Sequence, residues 1–129
     1  MTSPTRRRAI ARIAWLFPAG LSMTAIDVRA APAPVAAYYF AEFELKDPEA
    51  FKPYAAGVRQ TVVPYGGVYL AQGGKTATLE GAPPHRIVIM RFPSMEAALR
   101  WYDSPEYAAI RPYRQKAGET RNFLVEAIE

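Results

Sequence analysis

The chain has 129 residues, 50% hydrophobic and 22% charged, with no cysteine and one histidine. Those fractions describe a folded globular chain and exclude a disordered, collagenous or low-complexity one. The missing cysteine removes disulfides, thiolate metal sites, redox pairs and cysteine nucleophiles.

The formal net charge of +4 lies wholly in residues 1–30, where five arginines face Asp27 alone, while residues 31–129 balance. The body therefore offers phosphates no excess of positive charge, and no nucleic-acid partner is expected. Met1 to Arg12 is positively charged, Ile13 to Ile26 is mostly apolar, and Val28-Arg29-Ala30 is a small-residue site. That order is the layout of a cleavable export signal, and Thr5-Arg6-Arg7-Arg8-Ala9-Ile10 is similar to the twin-arginine form. The expectation is a protein exported to the periplasm or secreted, off the membrane once residues 1–30 are removed. Residues 31–36, rich in Ala and Pro, would then form a flexible start, with one domain over residues 37–128.

Tyr38 to Leu45 alternates, Tyr39, Ala41, Phe43 and Leu45 on one face and Tyr38, Phe40, Glu42 and Glu44 on the other, which predicts a strand. Asp47-Pro48-Glu49 starts a helix to about Val63, with Pro64 as its stop. Gly66-Gly67 turns the chain into a short strand, Val68 to Gln72. Gly73 to His85 is a long Gly/Pro-rich loop, of a length that is usually functional or mobile. Arg86 to Phe92 is a β-branched strand, Ser94 caps one helix, and Ser104-Pro105-Glu106 starts another that bends at Pro112 and ends at Gly118. Asn122 to Ala127 is the last predicted strand.

The order β-α-β-β-α-(α)-β predicts an α+β ferredoxin-like sandwich, an antiparallel sheet with helices on one face. Tyr38, Phe40, Ile87 and Ile89 would lie on the face without helices. A patch of that kind implies a partner, and the expected partner is a second copy packed sheet to sheet.

Tyr39-Phe40-Ala41-Glu42-Phe43, Asp47-Pro48-Glu49-Ala50-Phe51, Tyr65-Gly66-Gly67, Gly73-Gly74, Leu79-Glu80-Gly81, Phe92-Pro93-Ser94 and Trp101-Tyr102-Asp103-Ser104-Pro105-Glu106-Tyr107 follow one another in order. Together they resemble the domain-of-unknown-function 1330 family of the dimeric α/β-barrel superfamily, from Ala37 to Ala127. The resemblance implies the fold and a homodimer. It implies no settled activity, because the superfamily includes cofactor-independent monooxygenases, isomerases, haem enzymes and binding proteins. Relatives often carry Arg where this chain has Gln72, and another polar residue where it has Asp103.

The candidate chemistry falls on few residues. Glu42 and Arg91, on strands that the topology makes neighbours, are expected to pair across the bare sheet face, as a pocket base or as an interface ion pair. His85, the one imidazole, is an acid–base group, an axial haem ligand or a surface loop residue, the last being expected. One histidine without cysteine falls short of the roughly three or four protein ligands of a zinc site, so no metal and no cofactor are expected. Ser104 reads as a helix cap and Trp101 and Tyr107 as helix-to-sheet packing, while Arg111, Arg114 and Lys116 are either groups that attract an anion or the solvated face of the last helix, the second being expected.

The leading expectation is a site for a small apolar or aromatic organic ligand built from Tyr38, Phe40, Glu42, Tyr69, Arg91 and the Gly73–His85 loop. The rivals are a cofactor-independent monooxygenase or isomerase, with Glu42 or His85 as base and Arg91 stabilising an enolate-like charge, and a structural homodimer without catalysis.

Overall fold

The computed structural model describes residues 30–128 together with Gly20 and Ile26. The predicted export leader otherwise lies outside the described residues. Pro32–Glu129 forms one compact unit.

The elements are β1 (Ala37–Leu45), α1 (Pro48–Val62), a short 3₁₀ turn (Val63–Tyr65), β2 (Val68–Gln72), β3 (Arg86–Phe92), α2 (Met95–Tyr102), α3 (Pro105–Ala117) and β4 (Gly118–Glu126). The strands form one sheet in the order β2-β3-β1-β4, every neighbouring pair antiparallel. This is the predicted ferredoxin-like sandwich.

Caps fix the helix starts as their residue types require. The Asp47 carboxylate accepts from the Ala50 N–H at 3.1 Å, and Ser94 Oγ accepts from the Ala97 N–H at 3.0 Å. Ser104 Oγ accepts from the Tyr107 N–H at 3.2 Å while its hydroxyl donates to the Trp101 carbonyl at 2.7 Å. Ser104 is thereby a buried hinge pin between α2 and α3 rather than a nucleophile.

The last helix ends where expected: α3 continues past Pro112 to Ala117, with Gly118 at its C-terminal cap, and one correction concerns the strand after it. β4 begins at Gly118, four residues before Asn122, with Leu45 opposite Gly118 and Glu44 opposite Glu119. Both the Lys46 and the Asp47 N–H donate to the Ala117 carbonyl, at 2.8 and 2.9 Å, locking the helix-to-strand junction onto the end of β1. A Cβ on Gly118 would collide with the Glu44 carbonyl oxygen, so the close approach demands glycine there.

The core lies between the sheet and the helices. Trp101 and Tyr107 are fully buried, their rings 4.3 Å apart, with Tyr39 and Phe92 also on Trp101. The Tyr65-Gly66-Gly67 and Phe92-Pro93-Ser94 strings meet in space. Gly66 turns at φ 74°, and a Cβ there would sit 2.8 Å from Pro93 Cγ, while one on Gly67 would strike Val62 and Phe92. Glycine at both positions lets the turn after α1 close over the end of β3.

The other sheet face carries no helix. Tyr38 and Phe40 lie there with Ile87, Ile89 and Arg91 of β3 and Phe123 and Val125 of β4, and Phe40 stacks on Phe123 at 5.5 Å. Phe123 and Val125 are 49% and 44% exposed, which leaves a wide apolar patch uncovered.

Candidate functional site

The enclosed space in this fold lies under the helices, on the face opposite to the one expected. A cavity of about 220 Å³ is walled by Tyr39, Ala41 and Phe43 of β1, Phe51, Tyr54, Ala55 and Val58 of α1, and Val88 and Met90 of β3. Tyr69 and Gln72 of β2 and Arg86 of β3 form one side, and Arg114 of α3 and Thr120 of β4 form another. Two small side chains open it: Ala41 sits between Tyr39 and Phe43 on the inward face, and Ala55 faces it from α1.

Of the residues expected to bind a ligand, Tyr69 lines this cavity and Tyr38, Phe40, Glu42 and Arg91 do not. Strand parity explains it: side chains alternate across the sheet, and these four point to the bare face. The expected Glu42–Arg91 pair is absent. The register sets Arg91 opposite Tyr38 and Glu42 opposite Ile87, four residues apart and so about 13 Å along the strand. On its other side Glu42 lies opposite Arg121.

His85 is at the surface with Glu42 and Glu44. The Glu42 carboxylate accepts from the His85 backbone N–H at 3.0 Å, and His85 Nε2 lies 3.8 Å from the Glu44 carboxylate. That group is exposed, and a surface contact of that kind contributes little. The Gly73–His85 loop supplies no wall of the cavity, which takes only the flanking Gln72 and Arg86. Among the described residues no group of three His, Asp or Glu side chains could hold a metal ion.

The polar groups of the cavity are ordered. The Tyr54 and Tyr107 hydroxyls are 3.2 Å apart, and the Tyr39 hydroxyl accepts from Asn122 Nδ2 at 3.0 Å. Burial pushes the Tyr39 and Tyr54 hydroxyls well above the ordinary phenol value, helped by their tyrosine neighbours. Burial also raises Tyr69, against the pull of Arg59. These tyrosines stay neutral and serve as hydrogen-bonding groups rather than bases. At the rim the Arg59 guanidinium lies 4.6 Å from the centre of the Tyr69 ring and donates to Gln72 Oε1 at 2.9 Å, clasping β2 to α1.

Arg114 is the residue that the sequence reading misplaced. It is 6% exposed rather than solvated, and its guanidinium lies 5.8 Å from the centre of the Tyr54 ring. Burial works against its charge, but the surrounding Tyr107, Tyr54 and Tyr39 outweigh that and hold its pKa above the usual guanidinium value. The signal was present in the spacing: Tyr107, Ile110, Arg114 and Ala117 fall on one helical stripe, and its other members are apolar or aromatic.

Fold and cavity together define a ferredoxin-like α+β protein with a roofed pocket on the helix side of its sheet. The chain belongs to the family described as Domain of unknown function (DUF1330), which matches residues 36–128. It is similar to a solved protein of unknown function from Rhodopseudomonas palustris at 20% identity, over 74% of this chain and 84% of that one, with a TM-score of 0.57. It is also similar to SnoaB, a cofactor-independent oxygenase from Streptomyces nogalater, at 11% identity, over 74% and 95% of the two chains and with a TM-score of 0.54. A dimeric ferredoxin-like protein of unknown function from Thermobifida fusca matches at 10% identity over 73% and 92%, with a TM-score of 0.50. At these identities the likeness is one of fold. No curated protein matches the chain.

Proposed function

We propose that this chain is an exported homodimeric protein that binds a small, largely apolar organic molecule in the cavity between sheet and helices. The observation that carries the reading is the cavity itself: roofed, walled mainly by aromatic and aliphatic side chains, with a few hydrogen-bonding groups at fixed places. At about 220 Å³ it lies below the roughly 300 Å³ at which drug-sized pockets begin, which suits a molecule of one or two rings. The dimer rests on the uncovered face of Tyr38, Phe40, Ile89 and Phe123, which a second copy packed sheet to sheet would bury. Export rests on the order of charge and hydropathy in residues 1–30.

Binding is favoured over catalysis by the lining. Among the described residues the cavity presents neutral tyrosines, Thr120, Gln72 and two arginines, and neither a carboxylate nor an imidazole. Glu42 and His85, the candidate bases, sit outside it. A proton-abstracting mechanism therefore finds no base at the pocket wall.

Native mass spectrometry of the protein isolated from the envelope fraction of its host tests all three parts. The expected species is a dimer whose chain starts near Ala31 and which carries extra mass from a small organic molecule. A monomer at micromolar concentration would overturn the dimer, and an intact leader would overturn export. A dimer of bare polypeptide that stays bare after incubation with indole would overturn the binding reading.

A further inference from the structure

Within that binding reading, we propose that the ligand is a small organic carboxylate whose carboxylate group is held by Arg114 and Thr120. Two buried polar atoms are left without a hydrogen-bond partner, Arg114 Nε and Thr120 Oγ1, and both residues line this cavity as well as a shallower hollow beside Tyr102 and Asn122. Buried donors are almost always paired in native proteins, and a buried charge without a counter-ion is especially costly. Among the described residues the ion pairs are Lys46–Glu119, Lys52–Glu49, His85–Glu44 and Arg100–Glu96, and none involves Arg114.

Tyr107 hydrogen-bonds the guanidinium and Tyr54 and Tyr39 lie near it, but among the described residues no carboxylate pairs with its charge. Being neutral, those tyrosines also offer an entering anion no repulsion. A carboxylate matches the orphaned pair: one oxygen accepts from the guanidinium, the other from the threonine hydroxyl. Arg86, exposed on another wall, adds a second positive charge that draws anions toward the opening.

An inorganic anion would answer the charge and leave Phe43, Val58, Val88 and Met90 facing water. The complement to this lining is an acid with an apolar body. Benzoate and its neutral isostere benzamide separate the two contributions.

The test is calorimetric titration of the full chain with each compound, and of the Arg114→Met and Thr120→Val variants. Benzoate is expected to bind about tenfold or more tightly than benzamide, the size of one charge-assisted hydrogen bond. Arg114→Met should bring the ratio of benzoate to benzamide affinity down to near one, and Thr120→Val should lower that ratio in the same direction. Benzamide binding as tightly as benzoate to the unaltered protein would overturn the carboxylate assignment and leave the cavity reading in place, a result that does not depend on any variant folding. If neither compound binds, the cavity reading fails and this inference falls with it.

Discussion

Replacing Trp101 with alanine should lower stability by about 3–5 kcal/mol, the range for truncating a large buried aromatic side chain. Trp101 has no exposed surface and touches four aromatic rings: Tyr39, Phe92, Tyr102 and Tyr107. Its indole N–H donates to Thr61 Oγ1 at 3.0 Å, and that hydroxyl donates to the Val58 carbonyl at 2.7 Å, so the truncation also strips a buried link to α1. Domains of this size hold only about 5–15 kcal/mol, and each 1 kcal/mol moves Tm by about 4–8 °C. Thermal unfolding followed by circular dichroism should therefore show a fall in Tm of at least about 12 °C. Trp101→Phe should fall between the two, because it keeps the ring and loses the N–H. A loss under about 1 kcal/mol for Trp101→Ala would mean that α2 is not anchored through this side chain.

Stability should also collapse on the alkaline side. Tyr39 and Tyr54 hold their protons in the folded state well above the ordinary phenol value, chiefly because they are buried. The unfolded chain releases those protons near pH 10, so above that point the unfolded state binds fewer protons than the folded one. Folding stability is then fully present below about pH 10 and declines as pH rises toward the folded-state values. With two such groups the slope reaches about 2.7 kcal/mol per pH unit. Urea unfolding at pH 8, 9, 10 and 11 should show a flat stability to about pH 10 and a steep loss beyond it. Equal stability at pH 8 and 11, with all tyrosines ionising together in the folded protein, would place these hydroxyls in water and remove them from the cavity wall.

Most of the backbone was legible because local signals agreed with the fold. β2 and β3 begin and end where periodicity and turn residues put them, and all three helices start at the caps expected. The start of β4 was hidden because Glu119, Thr120 and Arg121, after Gly118, are polar on both faces and resemble a loop; their strand is imposed by pairing with β1, a tertiary effect. The place of the cavity was not legible. Alternation correctly divided β1 into two faces, yet an apolar bare face and a roofed face look alike in a strand apolar on both sides. Register decided the fate of the Glu42–Arg91 pair, and register depends on cross-strand packing that one strand does not display. The burial of Arg114 was not expected because a charged residue on a helix is usually solvated, and only the apolar stripe around it argued otherwise.

The claim on which the account turns is that ligand enters under the helices and not on the bare sheet. Amide chemical-shift mapping of the isotopically labelled full chain during titration with indole, a neutral single probe, tests it most directly. The account predicts saturable movement of the Val58, Val88, Met90, Arg114 and Thr120 signals, with Tyr38, Ile89 and Phe123 unmoved. Movement confined to Tyr38, Ile89 and Phe123 would contradict it and return the site to the sheet face.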